Sequence, residues 1–187
     1  DSDQALKSFG LYPIEFSVPA KNTGGVSEPE YLRHLEEFTT FLSAQPEVLH
    51  VYSITDIMKR LNKNMHSDNN SFYRLPDNRQ LSAQYLLLYE LSLPYGLDLN
   101  DRINVDKSAT RVTAMLQKAS TSETKSFLDA TRQWMLQNWP EYMMSQPTSA
   151  QVMFTYITDR NVQNMISGTI GAILVIAIIM IGALRSI

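Results

Sequence analysis

The sequence predicts an α+β domain followed by one apolar helix. Three observations carry this. Short β-branched and aromatic runs alternate with helical stretches over residues 10–158. Two S-x-x-E patterns stand just ahead of the longest amphipathic stretches. From Met165 to Leu184 the chain carries no charge, and about 20 apolar residues are what an α-helix needs to cross a bilayer. That run is Ile-rich all round, so it has no polar face to turn to water.

The elements follow in order. Residues 1–9 are polar and predict no element. Gly10–Val18 reads as a strand, with Ile14, Phe16 and Val18 alternating and Pro13 favouring an edge or a bulge. The following PAKNTGG is a loop; it lacks the G-x-x-x-x-G-K-[ST] frame that would cradle phosphate. Ser27–Gln45 reads as a helix opened by a Ser27/Glu30 capping box. Tyr31, Leu35, Phe38 and Leu42 share one face, and Pro46 ends it. Glu47–Ser53 is a strand, with His50 expected on its packed side. A second helix follows, capped by Ser53 or Thr55, with Ile54, Ile57, Met58, Leu61 and Met65 on one face.

His66–Asn78 is a polar break with Tyr73 and Leu75 as anchors. Arg79–Leu93 is a third helix whose wide apolar face (Leu81, Tyr85, Leu88, Leu91) suggests contact on two sides. Pro94–Asn100 interrupts the pattern. Arg102–Val105 and Ser108–Leu116 read as a short and a longer strand. Ser120-x-x-Glu123 is the second capping box, opening a helix to Asn138 with Phe127, Leu128, Thr131, Trp134 and Met135 inward. Met143–Ser149 is loop. Gln151–Thr158, apolar on both faces, reads as a central strand. Setting aside a helical insert at about 54–96, the order is β-α-β then β-α-β, the ferredoxin-like order. The expected core includes Leu35, Phe38, Val51, Val112, Leu128 and Phe154. The expected domains are 1–164, a soluble unit, and 165–187, a transmembrane helix.

Composition narrows the function. A net charge of −3 and a pI near 5.6 leave no basic stripe for nucleic acid. There is no polybasic cluster to hold anionic lipid. With no cysteine, disulfides, thiol nucleophiles and Cys-based metal sites are excluded. His34, His50 and His66 have no i, i+4 pairing and no H-E-x-x-H frame, so no metal site is expected; His34 sits on the charged side of its helix, where solvation is expected. Asp98-x-Asn100 begins like a calcium loop, but Arg102 and Val105 fall where that loop needs acidic or glycine residues. No serine sits in a G-x-S-x-G elbow. We therefore expect no catalytic centre and no cofactor.

The candidate binding stretch is Trp134, Met135, Trp139, Tyr142 and Met143. Methionines and aromatics together adapt to varied apolar ligands. The same residues also read as a core helix end with a loop packed on it, and this reading comes first. Trp139 and Tyr142 would also suit a membrane interface. In the apolar run, Gly168 and Ala172 form a small-x-x-x-small pair that lets another helix approach closely. Asp159 and Arg160 cancel at its near end and Arg185 marks its far end, which predicts an outside-to-inside orientation.

Several motifs occur together in one order: Val48, Val51, Ser53 and Asp56 as V-x-x-V-x-S-x-x-D; Leu75-Pro76 before Gln80; Thr110-Arg111-Val112; and Leu184-Arg185-Ser186. In this they resemble the first extracytoplasmic loop of resistance-nodulation-division (RND) transporters, in the hydrophobe and lipid exporter branch related to mycobacterial membrane lipid exporters. The likeness covers most of 10–187. It implies a proton-driven pump in a bacterial inner membrane, with residues 1–164 on the periplasmic side as a porter unit and the final helix as the second span. The partners implied are the remainder of the same transporter chain, the membrane, a hydrophobic or lipid-like substrate and further copies in a homo-oligomer. The proton-relay carboxylates would lie on a later span, so no residue here inherits that role. The chain would continue in both directions. The rival reading is a tail-anchored interaction or scaffold protein, complete as it stands; a membrane-tethered serine hydrolase is the third.

Overall fold

Alternation decides the sheet. Ile14, Phe16 and Val18 of strand β1 (Tyr12–Pro19) are fully buried, and their neighbours Pro13 and Ser17 are exposed. Strand β3 (Ala109–Leu116) repeats the pattern with Thr110, Val112, Ala114 and Leu116 inward. A side-chain period of two thus gives each strand one greasy face. β1 and β3 pair antiparallel from Tyr12↔Leu116 to Pro19↔Ala109. Strand β2 (Val48–Tyr52) pairs with β3, and β4 (Pro147–Thr148) with β1, both antiparallel. The sheet order is β2-β3-β1-β4. This computed structural model describes residues 12–94, 99, 101–117 and 120–185. The expectations for residues 1–11, for most of Pro94–Asn100 and for Ser186 and Ile187 lie outside these residues.

The chain is thus a mixed α+β fold with a four-stranded antiparallel sheet and, among the described residues, five α-helices. The last of these is the apolar one. Helix α1 (Pro29–Ser43) buries Tyr31, Leu32, Leu35, Phe38 and Leu42 on the sheet. It starts one residue later than the Ser27/Glu30 box predicts. Ser27 is instead buried in a single 3-10 turn, Gly25–Ser27, and Glu28 precedes the helix without a side-chain cap. Pro29 explains the shift: its missing N–H suits the first helical position, and it keeps the residue before it extended. Gly24 makes the turn at φ +71°, a conformation glycine adopts without cost.

Helix α2 (Ile54–Met65) is capped by Ser53, whose Oγ accepts from the Thr55 N–H at 3.3 Å. Ile54 and Met58 are buried, while Met65 at the end is half exposed. Buried Asn62 ties α2 to helix α3 (Arg79–Ser92): its amide donates to the Arg74 carbonyl at 2.9 Å and its oxygen accepts from the Tyr85 hydroxyl at 3.1 Å. Tyr73 does not anchor the 66–78 break; it is exposed, and Phe72 stacks on His66 at 3.8 Å instead. Leu75 does pack on the core. α3 buries Ser82, Tyr85 and Leu86, so the expected Leu88 and Leu91 lie exposed beside Leu87.

Helix α4 (Thr121–Asn138) has the predicted capping box. The Glu123 N–H donates to Ser120 Oγ at 3.2 Å, and the Ser120 N–H donates to Glu123 Oε2 at 2.7 Å. The bond from the Ser120 backbone N–H first, and the Ser120 hydroxyl beside it second, hold the Glu123 carboxyl below its ordinary value. Its contribution is therefore present above the unfolded-state value and is lost as pH falls through the folded one. Ser120→Ala is expected to cost about 1 kcal/mol, read as a lower urea midpoint with an unchanged slope; an unchanged midpoint would mean the box is not formed in solution.

Two strand expectations are corrected. Arg102–Val105 is not a strand: only Ile103 bridges, to Thr110. Gln151–Thr158 is not the central strand but the start of helix α5 (Ala150–Arg185), and the fourth strand is the two-residue edge β4. Burial in 151–159 follows Val152, Thr155 and half-buried Asp159, a spacing of a helix face. Phe154, expected in the core, is accordingly 59% exposed. The other five expected core residues are buried. Ser149 caps the helix, its Oγ accepting from the Val152 N–H at 3.1 Å.

α5 is one continuous helix that packs on α4 and β1 only at its start. Lys125 Nζ meets Asp159 Oδ2 at 2.7 Å. From Arg160 to Leu184 every residue is exposed. This helix is long and apolar enough to cross a membrane, with a mean hydropathy of 2.5 in its most apolar window.

Candidate functional site

The Trp-Met stretch sits against the core. Phe38 lies at the centre of an aromatic cluster, with ring centroids 5.2 Å from Phe16, 5.5 Å from Trp134 and 4.4 Å from Trp139. Trp134 also stacks on Phe41 at 5.2 Å, and the Trp139 indole N–H donates to the His34 carbonyl at 3.2 Å. Met135, Trp139 and Met143 are buried and Trp134 is half-buried. α4 stops at Asn138 and Trp139 leaves it in an extended conformation (φ −106°, ψ 145°), which is how two tryptophans five residues apart reach the same phenylalanine; Pro140 follows.

Tyr142 stands apart from this cluster. It is 37% exposed and lines a hollow of about 250 Å³ with Tyr31, Glu30 and Arg79. Burial, with the Glu30 charge second, raises its phenol above the ordinary value. Burial pushes the Tyr31 phenol up further; its hydroxyl donates to the Val18 carbonyl at 2.9 Å and lies 2.7 Å from Thr110 Oγ1. That pair is a fastening between α1 and the sheet.

The three histidines occupy separate places. His34 is half-buried rather than solvated, with Nδ1 3.7 Å from Glu37. His50 is exposed, against expectation, because the β2/β3 register shifts between Val48 and His50 and turns it outward beside Tyr52. His66 accompanies Phe72. Among the described residues no three His, Asp or Glu side chains gather where a metal ion could be held.

One concavity escaped the sequence reasoning. A cleft of about 420 Å³ lies between α4, the first turns of α5 and the 144–147 segment. Leu128, Arg132 and Met135 share one face of α4 there, Tyr156 comes from α5, and Ser145 from the connecting segment. Ser145 is 8% exposed, and its Oγ has no hydrogen-bond partner among the described residues. Of the five candidate residues, Met135 also lines this cleft, and Met144, next to Met143, lines it too. The signal that could have found it is Ser149 followed by a run free of Gly and Pro up to Gly168, which is a helix start.

Gly168 and Ala172 face open space; a Cβ added at Gly168 would meet nothing within 4 Å. The described residues thus define an α+β domain that carries one helix long and apolar enough to cross a membrane. Compared with known proteins, the chain matches no family model, no curated protein and no solved structure.

Proposed function

We propose that this segment is a substrate-handling porter unit of a proton-driven RND-type exporter of hydrophobic or amphiphilic molecules, held on the periplasmic side of a bacterial inner membrane. In this reading the finer fold is ferredoxin-like. The sheet order supports it. β1 and β2 run parallel with β3 between them, β3 and β4 run parallel with β1 between them, and α1 and α4 make the two crossovers. Helices α2 and α3 are then the insert.

One geometric observation carries the reading further. Tyr12 pairs with Leu116 at one end of the sheet. Ser120, which starts α4, follows within four residues, and Lys125 one turn on binds Asp159. The described fold is therefore entered at Tyr12 and left through α5 at the same end. That is what a loop between two neighbouring spans requires.

The full reading frame tests this. Spans before Asp1 and after Ile187 are expected; a stop soon after Ile187 with no earlier span would leave the tail-anchored scaffold instead. Orientation is a second check: a cysteine at position 160 should react with a membrane-impermeant reagent from the periplasmic side and one at 186 should not. Gly168→Leu should leave insertion and the urea midpoint of the domain unchanged while reducing assembly or transport, because the large side chain blocks close helix approach. Wild-type assembly and transport in this variant would remove the packing role.

A further inference from the structure

We infer that the cleft between α4 and α5 is a binding site for a single-chain zwitterionic amphiphile, a molecule with an ammonium and a phosphate or carboxylate on one apolar chain. The inference goes beyond the exporter reading and does not rest on it, since a scaffold would carry the same cleft.

Three features define the ligand. The first is charge. Asp129 and Arg132 both line the cleft, one helical turn apart, about 5–6 Å between Cβ atoms. Among the described residues neither makes an ion pair. Lys125, the cation one turn before Asp129, is held by Asp159 at 2.7 Å. One carboxylate and one guanidinium side by side match a headgroup carrying both signs. A purely anionic head would meet Asp129, and a purely cationic one would meet Arg132.

The second feature is the Ser145 hydroxyl in the wall. Buried hydroxyls are nearly always hydrogen-bonded, and this one, itself almost wholly covered, has no partner among the described residues, so a polar ligand atom reaching it through a small shift of the wall would supply the missing bond. The third is the apolar wall of Leu128, Met135 and Met144, whose thioethers adapt to a flexible chain. At about 420 Å³ the cleft is of ligand-binding size, with room for a headgroup and part of one chain.

Its position suits an amphiphile. Tyr156 lies nine residues before Met165, so the cleft stands about 14 Å along α5 from the start of the apolar run. Such a molecule could come from the bilayer or from solution.

The test uses the full chain in lipid nanodiscs and a photoreactive lysophosphatidylethanolamine, with labelled residues located by mass spectrometry. Label is expected on 128–135 and 144–156. Asp129→Asn and Arg132→Gln should each lower it about tenfold, the scale of one charge-assisted contact. The N-acetylated probe, which lacks the ammonium, should label the wild type about tenfold less. In Asp129→Asn it should fare no worse than the parent probe, because each change removes the same contact. Ser145→Ala should lower labelling while leaving the urea midpoint equal or higher, a split that a merely structural serine would not produce. Probe preloaded in the disc and a short-chain probe added outside separate the two sources, and labelling in either arm supports the site. Label confined to 165–184, no effect of N-acetylation, additive losses, or unchanged labelling in Ser145→Ala would overturn the proposal.

Discussion

Replacing Phe38 with alanine is expected to destabilise the domain by about 3–5 kcal/mol. The side chain is 0% exposed and touches Phe16 edge-on, Trp134 and Trp139. Two terms add. The apolar surface returns to water in the unfolded comparison, and the remaining rings cannot collapse into the gap because each is tied elsewhere: Phe16 to the β1 ladder, Trp139 through its N–H to His34, Trp134 to Phe41. Aromatic pairs add about 0.5–1.5 kcal/mol each beyond area. Against a total stability of about 5–15 kcal/mol, this loss is a large share. Urea unfolding followed by tryptophan emission reads it directly, since both tryptophans of the chain border Phe38. A loss below about 1 kcal/mol would mean that α1, α4 and the sheet do not meet as described.

That cluster also shows what was legible in the sequence. Leu35, Phe38 and Leu42 on one side, Phe127, Leu128 and Met135 on the other, repeat at helical spacing within a few turns, so local pattern alone places them inward. The Ser120/Glu123 box is equally local. The Ser27/Glu30 box has the same letters and does not form, because Pro29 between them relocates the helix start. β4 was illegible: two residues of edge pairing leave no periodic trace, and Gln151–Thr158, apolar at nearly every position, fits a buried strand and a helix equally well. Continuity with the apolar run decides for helix, since extending a helix is far easier than nucleating one. The cleft depended on that decision. Its walls come from α4, α5 and the 144–147 segment, and they converge only once 150–159 is helical. His50 was lost to a register shift, which moves every later side chain to the other face without any mark in the composition.

Ile176→Arg is expected to abolish stable membrane association while leaving the α+β domain folded. Ile176 lies near the middle of the uncharged run, on a stretch where every residue is exposed. Near the centre of a spanning helix, arginine costs about 2.5–3.5 kcal/mol and isoleucine contributes about 0.3–0.6 kcal/mol, so the exchange shifts insertion by roughly 3–4 kcal/mol. That is about a hundredfold or more in partition. The domain should not feel the change, because α5 contributes to the core only through Val152 and Thr155 and to the ion pairs through Asp159. The control is Ile157→Arg, an exposed position on the same helix one turn before Arg160. It adds the same charge outside the run and should leave association intact. Carbonate extraction of membranes expressing the chain reads the association, and urea midpoints of the solubilised variants read the fold. Wild-type chain recovered in the soluble fraction, or Ile176→Arg retained as firmly as Ile157→Arg, would mean that the apolar helix is covered by protein rather than by lipid. A partner helix would then have to be sought along Gly168 and Ala172.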